Sequence, residues 1–162
     1  MIRALHHMAF RCRDSEETRA FYEEIVGMPL ASSLEITTTK TGRAANVLHT
    51  FYGLADGGYV AFFEEPGAPF EFKTQRDFDL HIALEADQAG VERAVAAAKA
   101  KGLEVRGPSD HTFIDSIYLR DPNGYVVELT VKRPDHDAFM GREKEKARDI
   151  LGAWTKAKAA AG

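Results

Sequence analysis

Two periodicities alternate along this chain of 162 residues. Residues 5–12, LHHMAFRC, alternate strictly. His7, Ala9 and Arg11 fall on one face and Met8, Phe10 and Cys12 on the greasier other, which predicts a strand. Asp14, with Glu17 three residues on, makes a capping-box start for a helix over 15–26. Ala20, Phe21 and Ile25 form its apolar stripe, and Gly27 followed by Pro29 stops it. The polar stretch 31–46, rich in Ser and Thr, predicts a strand and a loop. Residues 47–53 and 58–64 then read as two antiparallel strands around Ala55-Asp56-Gly57, and Pro66 to Asp77 reads as a linker.

After the linker the pattern begins again. Leu80-His81-Ile82-Ala83-Leu84-Glu85 repeats the layout of His6-His7-Met8-Ala9-Phe10-Arg11. Asp87 caps a second helix with Val91, Ala94, Val95 and Ala98 as its stripe; Gly102 ends it, and 103–106 makes a short strand. Ile117-Tyr118-Leu119 and Tyr125-Val126-Val127 flank Asp121-Pro122-Asn123-Gly124, whose Asn-Gly pair suits a two-residue hairpin connection. Period-two alternation sets Val126, Glu128 and Thr130 on one face and Tyr125, Val127 and Leu129 on the other. A carboxylate in the middle of such a strand is costly to bury unless something cationic pairs with it, a first pointer to a metal.

Sliding the second half by 66 sets Gly58–Phe63 on Gly124–Leu129 and Tyr52 on Tyr118, whereas the first strands are offset by 74. The extra eight residues of the first half belong in the 31–46 region. The expected fold class is α+β: two tandem βαβββ modules forming a curved, mixed and mainly antiparallel sheet around a cleft. Residues 1–66 and 79–133 are the modules, 67–78 the linker and 134–162 a C-terminal helical extension. That extension carries Phe139, Met140, Ile150, Leu151 and Trp154 among many charges, and is expected to pack on the domain or a partner subunit.

Composition narrows the function classes. A formal net charge of −4 with no basic run argues against a nucleic-acid surface. The single cysteine, Cys12, rules out an internal disulfide and fits a reducing compartment; its face makes it a small buried hydrophobe. No apolar run approaches membrane-spanning length and the N-terminus has no signal-peptide core, so a soluble, cytoplasmic protein is expected. Arg11 and Arg120 are candidate anion holders, and His49 and His136 read as exposed or partly exposed.

The doubled layout, with His7 and His81 opening the halves and Glu128 closing the second, resembles the vicinal oxygen chelate superfamily. That group includes glyoxalase I, fosfomycin-resistance thiol transferases, bleomycin-resistance proteins and type I extradiol dioxygenases. The resemblance covers residue 5 to about 132 and excludes the C-terminal helix. It implies metal ligands at His7, His81 and Glu128, with Phe62 where glyoxalase I has a glutamate. It also implies a homodimer, with the metal site either within one chain or completed across the pair, His7 of one chain joining His81 and Glu128 of the other. Two histidines and a carboxylate form the facial triad of non-haem Fe(II) or Mn(II) oxygenases and leave up to three positions open. His6, the neighbour of His7, has the parity of the helix side.

The stretch His111-x5-Ile-Tyr-x2-Asp-Pro-x-Gly-x3-Glu resembles the extradiol dioxygenase pattern, with Ser109 as a departure. The resemblance makes His111 an acid–base and Tyr118 a hydrogen-bonding partner of the substrate. The expectation is an oxidoreductase like a small extradiol dioxygenase, using Fe(II), or else Mn(II), Zn(II) or Ni(II), on a catechol-like chelator. The alternatives are a glyoxalase I-like isomerase, which Phe62 deprives of a glutamate, a thiol transferase, or a drug-binding module without a metal.

Overall fold

The computed structural model describes residues 1–161; of the predicted extension 134–162, Gly162 lies outside them. The first module comprises β1 (His7–Arg11), α1 (Ser15–Arg19, continuing as π-helical turns over Ala20–Val26), β2 (Leu30–Thr38), β3 (Ala44–Gly53) and β4 (Tyr59–Glu64). The second comprises β5 (Ile82–Glu85), α2 (Gln88–Ala100), β6 (Arg106–Asp110), β7 (Ile114–Arg120) and β8 (Val126–Lys132); α3 (His136–Ala161) follows. The sheets run β1-β4-β3-β2 and β5-β8-β7-β6. In each, the first and last strands pair in parallel and the others antiparallel, which is the tandem βαβββ plan.

The helix ends follow the predicted chemistry. Asp14 accepts from the Glu17 backbone N–H at 2.8 Å and Asp87 from that of Gly90 at 2.6 Å. Only half of the capping box forms, because the Glu17 carboxylate turns to Arg13 instead of back to Asp14. Gly27 ends the first helix at φ +87°.

Three boundaries differ from the reading of the sequence. The polar stretch after Pro29 is mostly strand, the nine residues of β2, held by pairing with β3 despite its weak pattern. β6 begins at Arg106, where the predicted strand ended. The connection between β7 and β8 spans 121–125 instead of two residues, since Asp121 N–H donates to the Tyr125 carbonyl and Gly124 N–H to that of Asp121. Gly124 sits at φ +95°, and a Cβ there would run into the Lys73 carbonyl oxygen, so the linker lies directly on this turn.

The helix-facing sides of the two modules share one core. Phe10 packs on Tyr125 (5.0 Å between ring centroids), and Tyr22 packs on Phe62 and Tyr52 (5.0 and 5.3 Å). Asn123 of the second module accepts from the Arg13 backbone N–H at 2.8 Å and donates to the Thr18 hydroxyl at 3.1 Å. Tyr22 donates to the buried Asp121 at 3.3 Å. Cys12 is buried, as its parity requires. α3 leaves this body: Phe139 stacks on Phe113 at 4.9 Å, while Ile150, Leu151 and Trp154 further along stay exposed. No described helix is long and apolar enough to cross a membrane.

Candidate metal centre

The strand pairings set which side chains look away from the core. In the second module Tyr118 and Arg106 stand opposite each other on β7 and β6, and Tyr118 stands opposite Glu128 on β8. Ala83 lies beside Glu128 in the parallel pair, and His81, two residues earlier, shares that face. His81, Arg106, Tyr118 and Glu128 line a cleft of about 410 Å³ with Asp77, Ser109, His111 and Phe113. A larger cleft, about 790 Å³, lies beside Leu5, Leu54 and Gln88 but contains no histidine.

Within the smaller cleft the groups form a chain. His81 Nε2 is 3.2 Å from Glu128 Oε2, and the Tyr118 hydroxyl donates to Glu128 Oε1 at 3.0 Å. His111 Nε2 is 2.8 Å from the Tyr118 oxygen. Tyr118 uses its proton on a carboxylate, so His111 Nε2 carries the hydrogen between them. Burial, then the Glu128 bond, pushes the Tyr118 hydroxyl up to about 12, which keeps it a donor. His81 Nδ1 lies 2.7 Å from the Asp77 carbonyl, an acceptor only, so Nδ1 bears a hydrogen and Nε2 is the nitrogen turned to Glu128. A nearly buried carboxylate facing an imidazole nitrogen at this distance is satisfied either by a proton on Nε2 or by a metal ion between the two. Two ligands at ~2.1 Å on adjacent octahedral positions stand ~3 Å apart, so this donor pair fits a divalent metal.

His7 does not join them within one chain. Among the described residues, no three His, Cys, Asp or Glu side chains converge as a metal site. His7 lies instead on the equivalent face of the first module, 5.7 Å from the Phe51 ring and 6.4 Å from that of His49. Its Nδ1 is 2.8 Å from that of His6, which is exposed beside it and does not turn toward the helices. His49 is buried, stacked on Phe63 and bonded to the Phe62 carbonyl, contrary to the partly exposed side chain expected.

The structure corrects the repeat by one position. Phe62 is fully buried against Tyr22 on the helix side and does not stand at a ligand position. β1 pairs Ala9 with Ala61 as β5 pairs Ala83 with Glu128, so Ala61 is the counterpart of Glu128, 67 residues earlier. Phe51, opposite Ala61, is the counterpart of Tyr118, and Tyr52 packs in the core. A run apolar on both faces has no alternation to set its register, and Gly58-Tyr59 aligned with Gly124-Tyr125 by identity alone. The glutamate of glyoxalase I is absent either way.

Arg11 pairs with Glu65, and Arg120 donates to the Lys73 carbonyl, so both secure the chain near the linker. His136 is partly buried beside Phe113. Asp77 and Arg106 escaped the reading of the sequence, because only the correct start of β6 places Arg106 over Tyr118.

The comparisons bear on the fold. No curated protein matches the chain. Among solved structures, an integron cassette protein from the Halifax Harbour sewage outfall metagenome is 24% identical at a TM-score of 0.56, covering 80% of this chain and 99% of that one. A glyoxylase/bleomycin resistance protein/dioxygenase domain from Frankia sp. EAN1pec has a TM-score of 0.65 at 14% identity, covering 85% and 99%. The fosfomycin resistance protein FosX from Listeria monocytogenes, solved with Mn(II) and 1S,2S-dihydroxypropylphosphonic acid, has 0.60 at 23%, again covering 85% and 99%. At these identities the likeness is one of fold. A sequence profile matches residues 4–129, and with it the chain belongs to the Glyoxalase/Bleomycin resistance protein/Dioxygenase superfamily.

Proposed function

We propose that the protein is a metal-dependent enzyme of the extradiol ring-cleaving type, using Fe(II) on a catechol-like substrate in the cytoplasm. The observation that carries this reading is the unbroken hydrogen-bonded path from exposed His111 through Tyr118 to Glu128. His81 and Glu128 of one chain and His7 of a second copy would hold the metal. β1 pairs only with β4 and β5 only with β8 among the described residues, so the two strands next to the histidines keep an open edge. Strand addition there supports a homodimer that brings the histidines together.

A bound Fe(II) would supply a Lewis acid and a template on which the substrate's vicinal oxygens meet O2. The protein's own groups then handle position and protons. Tyr118 fixes one Glu128 oxygen and leaves the other facing His81. His111 holds a hydrogen at Nε2 and reaches solvent, so it can give a proton to substrate oxygen and recover one from water. Phe113 and Ile114 supply apolar wall for a ring. In the isomerase alternative a second carboxylate on the metal moves the proton, and Ala61 offers none.

Oxygen uptake by Fe(II)-loaded protein with a panel of catechols, beside a hemithioacetal isomerisation assay, tests the chemistry. Uptake above background is expected, and background uptake with every catechol overturns the dioxygenase reading. The shared site is tested by mixing His7→Ala subunits with Glu128→Ala subunits. Hybrid dimers should recover metal binding that neither parent retains; no recovery overturns the shared site.

A further inference from the structure

Asp77 and Arg106 lie outside the ligand set, yet they close a ring behind it. The Asp77 carbonyl accepts from His81 Nδ1 at 2.7 Å, and its carboxylate pairs with Arg106 Nη2 at 2.8 Å. The Arg106 guanidinium sits 5.2 Å from the centre of the Tyr118 ring, and Tyr118 donates to Glu128, which faces His81. The circuit runs Asp77–His81–Glu128–Tyr118–Arg106 and returns to Asp77.

The local backbone is built for this. Asp79 and Leu80 both donate to the Arg76 carbonyl, and the Asp79 carboxylate accepts from the Arg76 backbone N–H and side chain. The resulting turn leaves the Asp77 carbonyl directed at the side chain four residues on. Arg106 ties the linker to the sheet at Asp77, as Arg120 does at Lys73 and Gln75. Arg106 also stands opposite Tyr118 in the β6–β7 pair, where a cation over an aromatic face is favourable.

We propose that the Asp77–Arg106 pair is a positioning device for the metal site. It locks the linker so that the Asp77 carbonyl holds His81 in the tautomer whose Nε2 is free to ligate, and it presses Tyr118 into line with Glu128. A backbone carbonyl on the far nitrogen of a ligating histidine sets both tautomer and ring orientation, and losing such support typically costs about 10–100-fold in metal affinity. An exposed ion pair contributes little to global stability, so the role should separate from folding.

The inference rests on the metal reading, and its test distinguishes the two. Mn(II) affinity would be measured by calorimetry on wild type, Asp77→Asn, Arg106→Ala, Arg106→Lys and the exchanged double variant Asp77→Arg/Arg106→Asp. The His81 tautomer would be read by nitrogen-15 NMR on the metal-free proteins at one fixed pH. Arg106→Ala and Asp77→Asn should weaken Mn(II) binding by about 10-fold. Both should move His81 toward the tautomer with hydrogen on Nε2 while the melting temperature holds. Arg106→Lys and the exchange should recover part of each loss. An unchanged tautomer in Arg106→Ala overturns the inference, as does a change that tracks only with lost stability. If wild type binds no Mn(II), the metal reading fails, and the tautomer alone then decides whether the device exists.

Discussion

The two modules carry the same strands in the same order and line their open faces with opposite materials. In the second, that face offers Glu128, Tyr118, Arg106 and His81, joined by hydrogen bonds and an aromatic contact. In the first, the counterparts of Glu128 and Tyr118 are Ala61 and Phe51, and His49 lies stacked on Phe63. Only the opening histidine is kept, His7 for His81. The helix-facing sides diverge far less: both are apolar and meet in a common aromatic core. A sheet face buried against helices constrains volume and polarity, whereas a face turned to a cleft answers only to its ligand. The first module thus presents an apolar wall with His7 at its edge, and the second holds the polar groups.

Apart from His7, the largest effects should fall on the second module. Removing a positioned acid–base typically lowers turnover about 10²–10⁴-fold, so His111→Ala should do so with metal content unchanged, and Tyr118→Phe should cost less. Oxygen uptake beside metal analysis checks both. An equal loss from His49→Ala would erase the proposed difference between the faces.

The shared side can be probed through Asp121. Burial pushes its carboxyl up to about 6 from an ordinary 3.8, against the pull of bonds from Asn123, Tyr125 and Tyr22. A carboxyl raised in the native state binds its proton more tightly there than in the unfolded chain. Its contribution is therefore complete below about pH 4 and is lost as pH rises through about 6. The unfolding free energy of wild type minus that of Asp121→Asn should fall by on the order of 2 kcal/mol between pH 4 and 7, measured by denaturant titration. A flat difference would remove the buried charge from the junction.

The smallest effect belongs to Phe51→Tyr. It restores the side chain of Tyr118 to the first module, on a face with no carboxylate opposite. Stability should shift by less than about 0.5 kcal/mol and turnover by less than twofold. A response matching that of Tyr118→Phe would mean the wall is chemically active.

Much of this was legible in residues whose pattern has one meaning. Asp14, Gly27, Asp87 and the alternation of β8 set caps, stops and the Glu128 face before any coordinates. The repeat named both histidines. Register failed in β4, where Val60, Ala61, Phe62 and Phe63 are apolar on both faces and alternation disappears. The Asp77–Arg106 pair was invisible because it needs a linker turn and a strand start that lack hydrophobic periodicity.

The junction at Asp121 and Asn123 has one further consequence. Side chains of the second hairpin's turn satisfy the Arg13 backbone and the Thr18 hydroxyl at the start of α1, Tyr22 donates to Asp121, and Phe62 packs toward Tyr125. Neither module can melt without stranding polar groups and aromatic surface of the other. Two modules of the same plan, each with its own sheet, therefore behave as a single cooperative unit: heating should produce one transition, and either half expressed alone should remain unfolded.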